Sequence, residues 1–421
     1  MIKKREIWIT GFAIFALFFG AGNLILPPFL GMNSGGEWWF VFFGFILTAV
    51  FIPILGVFAH ANVQGNIYDL GKKASPTFSS MYCFVMYLIA ITIPAPRTAS
   101  VAHEMAIQPF FGSSSLLTSS IYFLLIFVFV MNRSRLLSLI GKFLTPIIVV
   151  ILVAIIQFAI TSNPETMKLN VYEVPFVSGI LEGYQTFDAI GGVLIGAVIV
   201  ISLGNRGVKS YDDKKSLITK ASLIAGSGLI LVYGGLIFSG ASLSTLLPVS
   251  GTRTEVLKSL SSQTLGAIGT SFLSVLVALA CFTTAVGIVT GTSDYAKEMF
   301  KNSQKAYVIT AFISCVLGIL IGHFQVSFII KAAIPALMFI YPITIVLILL
   351  NVVPKRLTSS LVFKGVVITT LVVSIPDVLG SLHLGHLIDP ITQWIPLSTQ
   401  SLRWVFPAFI VSTIFGFMST P

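Results

Sequence analysis

Two short stretches place polar groups and small residues where nearly everything around them is apolar. One reads Phe18-Phe19-Gly20-Ala21-Gly22-Asn23-Leu24, followed by Pro27-Pro28. The other reads Glu182-Gly183-Tyr184-Gln185-Thr186-Phe187-Asp188-Ala189, followed by Gly191-Gly192. Glycines permit non-helical dihedrals and close backbone approach, so each stretch can interrupt a helix. An interruption frees carbonyls on the half before it and amides on the half after it. Carbonyls can take a cation, and amides at a helix N-terminus can take a carboxylate. Asn23 adds an amide and Asp188 a carboxylate, both costly in an apolar medium without partners. Two plainer readings compete: a glycine packing face kinked at the prolines, and an Asp188 lying near an interface.

Further groups are more scattered. Thr283-Thr284, between Cys281 and Gly287, offer the hard oxygen ligands that sodium needs, or simply bond their own helix carbonyls. Arg97 and Glu104 follow Pro94 and Pro96 in one apolar stretch. Seven residues put them on one helix face but about 10.5 Å apart along the axis. Direct pairing is therefore disfavoured, and anchoring at the membrane surface is preferred to a gating role. His383, His386 and Asp389 read as loop residues rather than as a metal set. Cys83, Cys281 and Cys315 read as packing residues. The sequence has no phosphate-binding GxxxxGK[ST] loop, no HExxH and no GxSxG, so it offers neither an ATP motor nor a familiar hydrolytic centre.

The elements that must position these groups are membrane helices. Of 421 residues, 56% are hydrophobic and 10% charged, against roughly 25% charged in soluble proteins. Mean hydropathy is +0.97. Twelve apolar segments are predicted to span: 7–32, 36–60, 80–108, 118–131, 138–161, 178–204, 219–241, 263–293, 306–321, 328–350, 362–380 and 401–418. With the N-terminus in the cytoplasm, 19 lysines and arginines fall inside and 5 outside, Arg97 being within a span. That bias sets both termini inside. The net charge of +10 is thus topological and calls for no nucleic acid. Nothing calls for an obligate protein partner or a cofactor. The longest expected loops, 242–262 and 381–400, leave no room for a soluble domain.

The two interrupted segments are the first and the sixth. An odd repeat of five inverts the second copy in the membrane, and interrupted helices at matching positions point to a secondary transporter's site. The reading is an all-α polytopic fold of twelve transmembrane helices, built as a 5+5 inverted repeat with discontinuous helices 1 and 6. Residues 1–161 would form the first repeat, 178–350 the second, and 362–421 two peripheral helices. A channel or facilitator for another small solute, and a membrane-embedded enzyme, are the competing classes.

The first stretch, from Gly11-Phe12-Ala13 through Pro27-Pro28, resembles the bacterial branched-chain amino acid transport system carrier family. The stretch from Glu182 to Ala189 and the Pro94-x-Pro96-Arg97 turn resemble it as well, as do the length and layout. The resemblance implies a fold of the bacterial leucine transporter type in the cytoplasmic membrane. It also implies uptake of leucine, isoleucine and valine coupled to sodium, with a proton as the alternative. By that analogy the substrate meets Gly20, Ala21, Gly22, Asn23, Tyr87, Tyr184, Thr186, Phe187, Asp188 and Gly191. Sodium would meet Gly20, Thr283 and Thr284. Asp188 could bind sodium, pair with the substrate's ammonium group, or carry a proton.

Overall fold

The computed structural model describes residues 4–20, 22–132, 136–162, 166–205, 210–248, 251–354, 357–387 and 392–419. Every regular element among them is a helix, as lipid demands of a chain whose backbone must satisfy itself. In chain order these are α1 (Lys4–Phe18), α2 (Gly22–Ser34), α3 (Trp38–Ile46), α4 (Ile52–Val63), α5 (Ile67–Gly71), α6 (Pro76–Thr92), α7 (Pro94–Ala102), α8 (Gln108–Phe111) and α9 (Ser115–Asn132). Then come α10 (Leu136–Thr161), α11 (Pro175–Tyr184), α12 (Asp188–Asn205), α13 (Tyr211–Ser242), α14 (Arg253–Met299), α15 (Gln304–Gly322), α16 (Val326–Val352), α17 (Ser360–Ser381) and α18 (Val405–Ser419). Among the described residues eight helices are long and apolar enough to cross a membrane, or nine if α11 and α12 form one bent span. Large apolar side chains such as Phe12, Leu124, Val150, Leu231 and Phe409 face outward, where only lipid would make such exposure favourable. The chain is a multi-pass membrane protein.

The broken helices lie along unbroken partners. α1 and α2 both pack on α13, while α11 and α12 pack on α3 and α4. Small residues bring the backbones together, as is usual between membrane helices. A Cβ on Gly240 would strike the Pro28 carbonyl, and one on Gly192 would lie 2.5 Å from the Pro53 carbonyl. The remaining pairings follow suit: α10 on α13, α16 on α4, α9 on α15, and α7 on α14. One hydrophobic core gathers around α1, α2, α13 and α14, and a second around α11, α12, α16 and α17. The two breaks lie at the seam between these cores.

One expected loop is largely helical. Residues 242–262 include the start of α14, which runs from Arg253 and bends at Gly266 (φ 69°). Thr252 and Glu255 cap it reciprocally, with Thr252 N donating to Glu255 Oε2 at 2.7 Å. That capping box is readable in the sequence and starts a helix there.

Candidate substrate and cation site

The first break begins where α1 stops at Phe18. Phe19 N donates to Phe15 O at 2.9 Å and Gly20 N to Phe18 O at 2.9 Å, after which α2 starts at Gly22. Pro27 and Pro28 sit inside α2. Having no N–H, they leave the carbonyls of Asn23 and Leu24 without their helical donors. The second break is a tight turn after α11. Gln185 N, Thr186 N and Phe187 N donate to Glu182 O, Gly183 O and Tyr184 O at 3.0–3.2 Å. Phe187 then takes φ 63°, and α12 leaves at 45° from Asp188. A non-glycine residue in the left-handed region is strained, and such strain gathers at functional sites.

One side chain joins the two breaks. Asn23 Nδ2 donates to Asp188 Oδ2 at 2.8 Å and to Phe18 O at 2.7 Å, and also contacts the Tyr233 hydroxyl. Asn23 and Asp188 are 2% and 6% exposed, so the carboxylate is well inside the protein. A buried ion costs several kcal/mol unless it is compensated. Asn23 donates to the carboxylate, and the Arg97 guanidinium lies within Coulombic reach of it. The Asp188 backbone N–H donates to Thr186 Oγ1 at 3.1 Å, which fixes the turn. Asp188 also opens α12, where the helix dipole favours an anion by about 0.3–2 kcal/mol.

The third broken helix delivers a cation to the same place. α6 ends at Thr92, and Ile93 leaves the helical region (φ −122°, ψ −71°). Pro94 then starts α7, as proline does when its missing N–H falls in a first turn. The turn carries Arg97 inward, 5% exposed. Its Nη1 donates to Gln185 O at 2.6 Å, and its guanidinium lies 5.1 Å over the Phe187 ring. On its other side it rests against Gly22, where a Cβ would collide with Nη2 and lie 3.1 Å from Cζ. Arg97 is thus no surface anchor. Glu104, its sequence neighbour, serves a different junction: it accepts from Thr254 Oγ1 at 2.5 Å and from Val326 N at 2.9 Å.

Other expected residues divide. Tyr184 is fully buried and stacks on Tyr341 at 4.4 Å. Thr186 and Phe187 lie in the second break itself. Gly191 meets only ordinary contacts, including Phe18 at 3.9 Å. A Cβ on Gly20 would lie 3.8 Å from Thr284 Oγ1, so the first break faces Thr284. Thr283 and Thr284 both donate to Ala280 O at 2.9 Å. That uses each hydroxyl proton and leaves oxygen lone pairs available to a cation. Tyr87 is not brought to the breaks. It stacks on Tyr295 at 4.3 Å, and Tyr295 lies eleven residues beyond Thr284, about 16 Å along α14. Ala21 and Asp389 lie outside the described residues, and among the described residues no group of three or more His, Cys, Asp or Glu side chains could hold a metal ion.

The start of α14 bridges the two broken helices. Arg253 grips Glu182 with two hydrogen bonds, at 2.6 and 3.0 Å, and lies 4.4 Å over the Phe29 ring. It therefore ties α14 to both α11 and α2. The sequence assigns no site role to Arg253 or Tyr233, because nothing local distinguishes them.

Comparison with known proteins agrees with this architecture. The chain is 33% identical to the branched-chain amino acid transport system 2 carrier protein of Pseudomonas aeruginosa, covering 97% of this chain and 95% of that one. Mhp1, a nucleobase-cation-symport-1 family transporter solved in a closed conformation with bromovinylhydantoin bound, superposes with a TM-score of 0.61 at 13% identity. That match covers 98% of this chain and 91% of Mhp1. MhsT in complex with L-phenylalanine superposes with a TM-score of 0.52 at 17% identity, covering 100% and 99%. These two give the fold alone: an all-helical membrane fold with discontinuous helices. Over residues 3–420 the sequence matches the family of branched-chain amino acid transport proteins, and the chain belongs to that family, as a secondary transporter and not an enzyme.

Proposed function

We propose that this protein imports leucine, isoleucine and valine across the cytoplasmic membrane, coupled to sodium, by alternating access. The observation that carries the reading is the Asn23–Asp188 hydrogen bond joining two helix breaks at the seam of two cores. An isolated carboxylate there is costly, and a bound cationic group offsets that cost. We assign Asp188 to the substrate's ammonium group. Gly20 and Thr284 are assigned to the sodium ion, Thr283 standing behind them. Tyr184, Thr186, Phe187 and Gly191 line the substrate's side of the second break.

The 5+5 inverted repeat with twelve spans is part of the proposal. What supports it is the exchange of packing partners under a shift of five spans. Broken span one lies on span seven, and broken span six on span two. Spans five and seven pair as do spans ten and two. Both termini then face the cytoplasm, as the lysine and arginine bias favours.

An apolar pocket discriminates weakly among aliphatic side chains, since one methylene is worth about 1–3 kcal/mol. Leucine, isoleucine and valine should therefore compete with one another for uptake into proteoliposomes, alanine more weakly, and lysine or glutamate not at all. Competition by glutamate or lysine equal to that of valine would remove the apolar pocket.

A further inference from the structure

Both half-helix N-termini, those of α2 and α12, open onto the same site. Each is the positive end of a dipole and favours an anion. At α12 the anion is built in, because Asp188 is its first residue. At α2 the opposite is found. The first residue, Gly22, is pressed by the Arg97 guanidinium, so a full positive charge sits at a positive helix end. Arg97 is 5% exposed, and among the described residues it makes no salt bridge; its one hydrogen bond is to a neutral carbonyl, Gln185 O. Nη2 and Nε have no hydrogen-bond acceptor among the described residues. The glycine at position 22 is what admits the guanidinium so close to the helix end. Asp188 lies within Coulombic reach of Arg97 without a salt bridge between them, so the guanidinium keeps spare donors beside the helix N-terminus for a further anion, and a carboxylate fits its fork.

We propose that Arg97 binds the carboxylate of the transported amino acid together with the α2 N-terminus, opposite Asp188, which takes the ammonium group. The site is then a fixed zwitterion clamp. Its positive half belongs to the protein and not to a second bound cation. This rests on the amino acid carrier reading above and specifies which residue recognises which end of the substrate.

The test is equilibrium binding by the purified full chain at saturating sodium. The probes are radiolabelled leucine, with leucinamide (no carboxylate) and 4-methylpentanoate (no ammonium) as competitors. In the unmodified protein both analogues should compete at least about 10-fold worse than leucine. Arg97→Gln should weaken leucine about 10–100-fold while leaving leucinamide within about twofold. Asp188→Asn should show the converse, with 4-methylpentanoate unchanged. Arg97→Lys keeps the charge and should recover part of the leucine affinity. Equal loss of leucine and leucinamide in Arg97→Gln would mark a structural role and overturn the proposal. So would leucinamide binding the unmodified protein as tightly as leucine, a result that needs no variant to fold. Leucine binding absent from the unmodified protein under every ion condition would instead remove the carrier reading itself.

Discussion

Gly20 and Gly22 look equivalent in the sequence and differ in the structure, so alanine at each should separate close approach from backbone freedom. Neither glycine has a positive φ, and alanine can adopt either backbone. At Gly22 the new Cβ would collide with Arg97 Nη2. The guanidinium, the far end of a flexible side chain, would have to shift, weakening a charge-assisted hydrogen bond to Gln185 O worth about 1.5–3 kcal/mol. It would also weaken its contact with the Phe187 ring, worth about 0.5–2 kcal/mol. Alanine's better helix propensity returns at most about 1 kcal/mol. Full loss of both contacts would cost about 1–5 kcal/mol, and a partial loss near 2 kcal/mol corresponds to roughly 30-fold. At Gly20 the new Cβ meets only Thr284 Oγ1, at an ordinary 3.8 Å. Gly22→Ala should therefore raise the leucine concentration for half-maximal uptake about 30-fold, and Gly20→Ala by less than about twofold. Proteoliposome uptake over a leucine series, with matched amounts of reconstituted protein, reads both. Equal effects of the two substitutions, or normal uptake by Gly22→Ala, would refute the packing argument.

Asp188→Asn keeps the size but removes the buried charge that faces Arg97, so its melting temperature in detergent should fall. Leucine exchange and gradient-driven uptake should both fall about 10–100-fold; exchange that survives while only gradient-driven uptake fails would assign Asp188 to the coupling proton instead. Thr284→Ala should raise the sodium concentration for half-maximal uptake, with partial rescue at saturating sodium, whereas Thr283→Ala should not. Unchanged sodium dependence in Thr284→Ala would leave the hydroxyl as a helix-backbone bond only. Tyr87→Phe keeps the stack on Tyr295, and leucine affinity should stay within about twofold; a larger loss would bring Tyr87 back to the substrate.

Most of the helical layout was legible because apolar length and charge bias are local properties. The two breaks were legible because Asn23 and Asp188 interrupt apolar runs, and polar groups in such places need partners. Their mutual bond was not, since no pattern reports a contact between residues 165 positions apart. Arg97 was misjudged for a related reason: an arginine in a span can snorkel or turn inward, and the choice depends on the kink at Ile93 and on a groove provided by Gly22 and Phe187. The glycines read as permitting both conformational freedom and close approach, and of the two the freedom falls instead to Phe187, the left-handed residue. Gly22 and Gly192 serve close approach, to Arg97 and to Pro53. The helix at the start of α14 went unread because its apolar face, Val256, Leu257 and Leu260, is too short to register as a span.

The central claim is coupled transport through the paired breaks. Radiolabelled leucine uptake into proteoliposomes holding only this protein, with an imposed inward sodium gradient, an inward proton gradient or neither, tests it most directly. Sodium-coupled transport predicts accumulation above the external concentration with the sodium gradient, and equilibration at most with neither. Uptake that never exceeds equilibration under any gradient would contradict it and favour a facilitator, and accumulation driven only by protons would overturn the sodium assignment at Gly20 and Thr284.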